Sequence, residues 1–168
     1  MKNFIKEYLI YIHIFVIVCI ILLCPDYTET NFHKDISSFI DNYLFGNIGL
    51  ISDTRPFMSK IAGNYVAIAA IVQGILLYWS GSISSEYIQK ISPCLFLGQF
   101  IIISTSFYFT FFSNIIFKVP PKPYINISPD SLFIYGLSLV TCLGVSSLGI
   151  SVILYFLGKI KLFFDLIK

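Results

Sequence analysis

The sequence predicts an all-α, polytopic membrane protein with four transmembrane helices and a short amphipathic helix in the first loop. The first observation is that four apolar stretches occupy most of the 168 residues. They are Tyr8–Cys24, Phe57–Trp79, Cys94–Phe117 and Ser131–Leu157. A helix needs about 20 apolar residues to cross a bilayer core, so each stretch is near spanning length. One domain, residues 1–168, is expected because the connecting segments are too short to fold alone.

Composition is the second observation. The hydrophobic fraction is 57% and the charged fraction is 12%, against about 25% charged residues in ordinary soluble domains. In water such a chain would expose large apolar patches, whereas a lipid bilayer accommodates them. The net charge is only +2, and the sequence has no basic run that would neutralise nucleic-acid phosphates. The expected surroundings are lipid, with no nucleic-acid partner.

Proline positions are the third observation. Pro25 ends the first span, because proline breaks the helical hydrogen-bond ladder. Pro56, Pro93 and Pro129 stand at the starts of the other three spans. Proline suits the first position of a helix, where its missing N–H would be unpaired anyway. The prolines therefore predict one helix for each apolar stretch.

The N-terminus and the basic residues predict the orientation. Lys2 and Lys6 precede the first apolar run, but the run ends in bulky residues without a small-residue cleavage site, so we expect a retained first helix. The last span is followed by Lys159, Lys161 and Lys168. Because basic residues favour the cytoplasmic side, both termini are expected in the cytoplasm of a multi-pass protein.

The segment between the first two spans, Asp26–Arg55, is the longest polar segment. Within it, apolar residues recur at helical spacing, with Asn31 as a possible cap and Gly46 as a stop. These residues are Phe32, Ile36, Phe39, Ile40, Tyr43 and Leu44. The pattern predicts a short amphipathic helix that lies on the bilayer surface or on the bundle. It either covers the helix bundle or offers a partner-binding surface through Phe32, Ile36, Phe39 and Tyr43.

Small residues predict which helices pack together. Membrane helices associate through close contacts between small residues and through side-chain hydrogen bonds. The second span offers one small-residue face: Gly63, Ala67, Ala70 and Gly74. The fourth span offers another: Ser138, Cys142, Ser146 and Gly149. We therefore expect the second and fourth spans to pack directly against each other.

Polar residues inside the spans are few. His13 and Gln73 are the clearest, and no Asp, Glu, Lys or Arg lies well inside any apolar stretch. Ion-coupled transporters and proton relays usually carry such ionisable groups within the membrane. His13 is therefore expected to be a hydrogen-bonded packing residue, and Gln73 an interhelical contact.

The sequence predicts no catalytic, cofactor-binding or metal site. The metalloprotease, nucleophile-elbow and phosphate-loop motifs are missing. The four cysteines lack metal-ligand spacing and are expected to be packing residues. The chain is accordingly expected to act by binding, not by catalysis.

Two patches resemble the colicin A type of immunity proteins, four-helix inner-membrane proteins that protect producing cells from a pore-forming colicin. The first is Ser52-Asp53-Thr54-Arg55-Pro56-Phe57-Met58-Ser59-Lys60, which resembles the family's Asn-Pro-Leu-Met-Thr-Lys stretch through Pro56, Met58 and Lys60. The second is Asp130 followed by Phe133, Tyr135, Gly136 and Leu137, which resembles the start of the last helix of that family.

This resemblance implies a function and a location. It implies a bacterial inner-membrane protein with both termini in the cytoplasm. Its partner would be the membrane-inserted helices of a pore-forming bacteriocin, with Pro56, Met58 and Lys60 among the contact residues. Two alternatives stay open: a small oligomeric transporter or channel subunit, whose polar path would follow the serine-rich fourth span, and an accessory subunit of a larger membrane complex.

Overall fold

A computed structural model describes residues 2–52, 54–81, 93–111, 114–117 and 132–167. This part of the chain is predominantly helical, with one short pair of strands. In chain order the elements are α1 (Lys2–Leu23), α2 (Asn31–Tyr43), β1 (Gly49–Ser52), α3 (Pro56–Trp79), α4 (Pro93–Phe111), β2 (Asn114–Phe117) and α5 (Leu132–Ile167). The predicted amphipathic helix in the first loop is therefore present as α2.

The cap of α2 differs from the expected one. Thr30, not Asn31, is the N-cap: its hydroxyl accepts the backbone N–H of His33 at 3.2 Å. The His33 ring nitrogen accepts the backbone N–H of Thr30 at 3.4 Å, which completes a capping box. Such a box satisfies two donors that a helix start leaves unpaired. Gly46, with φ of 65°, follows the helix as predicted.

The strand pair corrects the predicted boundary of the third span. The apolar stretch Cys94–Phe117 was expected to be one helix, but α4 ends at Phe111 and Asn114–Phe117 form β2. β1 and β2 are parallel, with Gly49 opposite Asn114 and Ser52 opposite Phe117. The reason is twofold: β-branched Ile115 and Ile116 favour a strand, and pairing with β1 provides hydrogen-bond partners for the backbone of Asn114–Phe117.

The helices alternate in direction around the sheet. The backbone N–H of Phe57 at the start of α3 donates to Asp26 O just after α1, at 3.0 Å. Near the start of α5, Tyr135 Oη donates to Leu50 O in β1 at 2.8 Å. α3 and α5 thus begin at the sheet end of the bundle, whereas α1 and α4 end there. The α3–α5 pair is the most extensive helix contact, α4 packs mainly on α5, and α1 packs on both α3 and α5.

The core lies between α1, α3 and α5 and reaches β1. Its buried members are Ile17, Ile21, Leu50, Met58, Ala62, Val66, Ala69, Tyr135, Leu139 and Leu143. α3 contributes Ala62 and Ala69 to it beside Met58 and Val66, and the two alanines let the backbones of neighbouring helices approach closely. The core thus fixes the positions of α1 and α5 relative to α3.

Two helical segments of the described chain are long and apolar enough to cross a membrane, Pro56–Trp79 and Ile134–Gly158. Tyr8–Leu23 is a shorter apolar helix. α5 continues to Ile167, ten residues beyond the predicted end of the fourth span at Leu157. The predicted outer loop Lys118–Ile127 and the expected start of the fourth span at Pro129 and Asp130 lie outside the described residues.

Candidate functional site

Polar side chains attach α2 to the start of α3. Lys60 is only 6% exposed. Its ammonium group donates to Asp41 Oδ2 at 2.7 Å and to Ser37 Oγ at 2.8 Å. On the same side of α2, the His33 ring lies 5.3 Å from the Phe57 ring, centroid to centroid. A buried ammonium group is costly without partners, so these contacts favour one placement of α2.

Asn64 anchors the chain that follows α2. Its Oδ1 accepts the backbone N–H of Phe45 at 3.0 Å, and its Nδ2 donates to Gly46 O at 2.7 Å and Lys60 O at 2.9 Å. One buried amide therefore satisfies three backbone groups, two of them in irregular chain. Periodicity within the second span did not predict these contacts, because the partners of Asn64 and Lys60 depend on where α2 and the chain after it lie.

The predicted partner-binding residues of α2 are mostly exposed. We call Phe32, Ile36, Phe39 and Tyr43 the α2 apolar stripe. The exposed fractions are 68% for Phe32, 54% for Phe39 and 75% for Tyr43, and Ile36 is half-buried. The rings of Phe39 and Tyr43 lie 5.3 Å apart. Among the described residues the stripe has little apolar cover, so on this part of the chain it can meet lipid or protein.

The three residues suggested by the immunity-family resemblance differ in their exposure. Pro56 is exposed, whereas Met58 is 1% exposed and Lys60 6%. Met58 belongs to the core, and Lys60 holds α2. Of the three, only Pro56 offers surface to a partner in this conformation.

The two small-residue faces meet only in part. A Cβ atom on Gly74 would lie 2.7 Å from Ile150 Cβ and 2.9 Å from Ser147 O, so Gly74 permits close approach of α3 and α5. Ser146 Oγ instead lies 3.0 Å from Thr110 Oγ1 of α4. A Cβ atom on Gly149 would lie 2.5 Å from Ile103 Cγ2, also in α4.

The remaining residues of the two predicted small-residue faces each have their own surroundings. A Cβ atom on Gly63 would collide with Ile48 O, so Gly63 receives the chain before β1 rather than α5. Ala67 and Ala70 are fully buried. Ser138 Oγ donates to Ile134 O of its own helix at 2.9 Å. Cys142 lies beside Gly63 and Thr110 around a very small internal cavity. The small-residue face of the fourth span thus packs against α4 as much as against α3.

His13 pairs with Tyr65 between α1 and α3. His13 Nδ1 and Tyr65 Oη are 2.7 Å apart, and His13 is 9% exposed. The other ring nitrogen, His13 Nε2, has no hydrogen-bond partner among the described residues, and neither has Gln73 Oε1. The pairing matches the expected role of His13 as a hydrogen-bonded packing residue.

A groove opens on the surface between α1 and α5, with a cavity volume of about 370 Å³. Its lining is apolar throughout: Ile14, Ile17, Val18, Ile21, Leu22, Gly136, Leu137 and Val140. Gly136 lets α5 approach α1 closely beside the groove, since a Cβ atom there would lie 3.1 Å from Ile21 Cδ1. Val18 and Leu137 are 44% and 57% exposed. An apolar chain or side chain from outside could occupy this groove.

Titratable side chains do not converge in the described part of the molecule. No group of three or more His, Cys, Asp or Glu residues there could hold a metal ion. Cys19, Cys24 and Cys142 are free thiols. Comparison with protein families, curated proteins and solved structures found no significant match to this chain.

Proposed function

We propose that this chain is a four-span bundle of a bacterial inner membrane and protects its cell by binding a pore-forming bacteriocin. The four spans would be α1, α3, α4 and α5. α4 has 19 residues, about 28 Å at 1.5 Å per residue, close to a hydrocarbon core of about 30 Å. The alternating helix directions support this arrangement, because consecutive spans must cross the bilayer in opposite senses.

The proposed orientation places both termini in the cytoplasm. α1 begins and α5 ends at the end of the bundle opposite the sheet, since the contacts of Asp26 with Phe57 and of Tyr135 with Leu50 put the other helix ends beside β1. The same end carries Lys2, Lys6, Lys159 and Lys161 in the sequence. Basic residues concentrate on the cytoplasmic side, which supports this orientation.

The observation that carries the toxin-binding proposal is the apolar groove between α1 and α5. A pore-forming toxin inserts apolar helices into the bilayer, where a lateral groove can receive their side chains. The bundle would hold those helices in a closed arrangement. A tenfold shift towards that state requires about 1.4 kcal/mol of differential binding, so a few weak contacts suffice.

The proposal is tested by survival and membrane potential in cells that express the chain and are challenged with a panel of pore-forming bacteriocins. We expect protection against at least one of them. Leu137→Trp, which fills the groove, should reduce that protection. Ile153→Trp is the matched control, because Ile153 is 49% exposed on the same helix outside the groove lining. Absence of protection across the panel, with the intact chain present in the membrane, would contradict the proposal.

A transporter or channel subunit is the second candidate. It is favoured by buried polar atoms without partners in the described chain, His13 Nε2 and Gln73 Oε1 among them, because a polar path would need such groups. The burial of the α5 serines argues against an open path through one copy of the chain. Three of them are 0% exposed: Ser146, Ser147 and Ser151. If His13→Ala removed a measurable ion flux, this candidate would replace the first.

Under the binding proposal, in contrast, three single substitutions should each retain protection: His13→Ala, Asp26→Asn and Glu29→Gln.

A further inference from the structure

α2 has three distinct faces. One faces the bundle through His33, Ser37, Ile40 and Asp41. The second is the α2 apolar stripe. The third is exposed and polar, formed by Lys34, Asp35, Ser38 and Asn42. At about 100° per residue, the stripe lies roughly a third of a turn from the bundle face, on one flank of the helix.

The contacts of the bundle face fix the rotation of α2 about its own axis. Lys60 binds both Ser37 and Asp41, which are one turn apart on α2. His33 packs on Phe57 a turn earlier. All of these contacts are made with α3. They keep the α2 apolar stripe turned away from the core, although the hydrophobic effect alone would favour burying the stripe within the bundle.

The stripe lies at one end of the proposed spans. α2 is attached to the first turns of α3, where that helix begins. Leu44 and Phe45, which follow Tyr43 in the chain, are 38% and 43% exposed. Phe45 lies 6.2 Å from Phe111, which lies 4.6 Å from Phe107, centroid to centroid, so aromatic contacts connect the segment after α2 with α4.

An exposed tryptophan marks the opposite end. Trp79, the last residue of α3, is 67% exposed. The 24 residues of α3 separate the two ends by about 36 Å. Tyr and Trp concentrate at both membrane–water interfaces, and this separation suits a bilayer core with part of each interface.

We propose that the α2 apolar stripe lies in the lipid, at the boundary between headgroups and acyl chains of the leaflet at the sheet end. The polar face then points to water, and the contacts of Lys60 set the rotation that places the stripe in lipid. α2 thereby fixes the depth of the bundle at this interface. This inference rests on the proposed four-span arrangement and is independent of toxin binding.

The test uses the single tryptophan of the chain. In a Trp79→Phe background, Phe39→Trp places the probe in the stripe, and Asn42→Trp places it on the polar face as the matched control. The proteins are reconstituted in phosphatidylcholine vesicles with acyl chains brominated near the headgroup. We expect blue-shifted emission and strong lipid quenching for Phe39→Trp, and red-shifted emission with iodide quenching for Asn42→Trp. Iodide quenching of both variants would overturn the proposal, as would a Phe39→Trp probe that neither quencher reaches, because protein would then cover the stripe.

The unaltered protein separates failure of this inference from failure of the four-span proposal. Its Trp79 should be quenched by the same lipids, because it lies at the opposite interface. If Trp79 is quenched and the probe at position 39 is not, the inference about α2 is wrong while insertion stands. If lipid quenches neither, the four-span arrangement fails and the inference fails with it.

A second pair of variants tests the role of Lys60. Asp41→Ala in the Phe39→Trp background removes one contact that sets the rotation of α2. We expect a loss of lipid quenching and a red shift of the emission. Asp35→Ala, which removes an exposed carboxylate from the polar face, should change neither. Equal spectra for the two variants would show that the Lys60–Asp41 contact does not position the stripe.

Discussion

The hydroxyl of Tyr135 donates a 2.8 Å hydrogen bond to the carbonyl oxygen of Leu50, 85 residues earlier in the chain. The bond joins the first turn of α5 to the strand that precedes α3. Both residues are buried, with exposed fractions of 6% and 8%. It therefore fixes the relative depth of the two helices that form the most extensive contact of the bundle.

Tyr135→Phe should destabilise the protein by about 1–2 kcal/mol, because it removes this bond without changing the packing of the ring. The measurement is equilibrium unfolding in detergent micelles. Tyr11→Phe is the control, since Tyr11 is 66% exposed. Similar stability of both variants would mean that Leu50 O is satisfied without Tyr135.

Two glycines of the bundle should respond to alanine in opposite directions. Gly74→Ala should cost about 1–3 kcal/mol, because the added methyl group would meet Ile150 and the backbone of Ser147. Gly144→Ala should be neutral or stabilise by up to about 1 kcal/mol, since nothing lies within 4 Å of its Cβ position and alanine favours helix. Thermal unfolding of both variants in one detergent checks this. A stabilising Gly74→Ala would contradict the close approach of α3 and α5.

Two fully buried serines of α5 provide a second matched pair. Ser146→Ala should cost about 1 kcal/mol, because it removes the 3.0 Å hydrogen bond between Ser146 and Thr110, whose hydroxyl keeps only its bond to Ser106 O. Ser151 Oγ has no partner among the described residues, so Ser151→Ala should be neutral or stabilising. The comparison also separates the two functional candidates. A clear loss of stability for Ser151→Ala would indicate that water or another polar group reaches this hydroxyl, as a polar path requires.

The pair formed by His13 and Tyr65 should behave as a coupled contact between α1 and α3. A double-mutant cycle with His13→Leu and Tyr65→Phe should give a coupling energy of about 0.6–1.7 kcal/mol, the range for hydrogen bonds between membrane helices. Unfolding free energies of the four proteins provide it. A coupling energy near zero would show that the 2.7 Å contact does not contribute to the association of the helices.

The sequence predicted the helices better than their contacts. Hydrophobic runs and prolines located the four long helices. The helical spacing of apolar residues located α2, and small residues predicted the pairing of α3 with α5. They could not predict that Ser146 and Gly149 face α4, because small residues lie on more than one side of α5. β2 was hidden in an apolar run that suits a helix as well as a strand.

The candidate surface was predictable on α2 and not on α3. The helical spacing of Phe32, Phe39 and Tyr43 located the α2 apolar stripe. Met58 and Lys60 were included by resemblance alone. Met58 is buried in the core between α1, α3 and α5, and Lys60 is buried where it binds α2. A contact between Lys60 and Asp41 depends on how α2 rotates, which periodicity within one helix does not determine.

Crossing of the bilayer by all four long helices is the claim on which the proposed function and the role of α2 depend. Alkaline phosphatase fusions test it most directly, because the enzyme is active only outside the cytoplasm. We expect activity for fusions after Lys34 and Pro121, and none for fusions after Ser85 and Lys168. Equal activity at two successive sites would contradict the four-span arrangement, whereas the reversed alternation would contradict the proposed orientation.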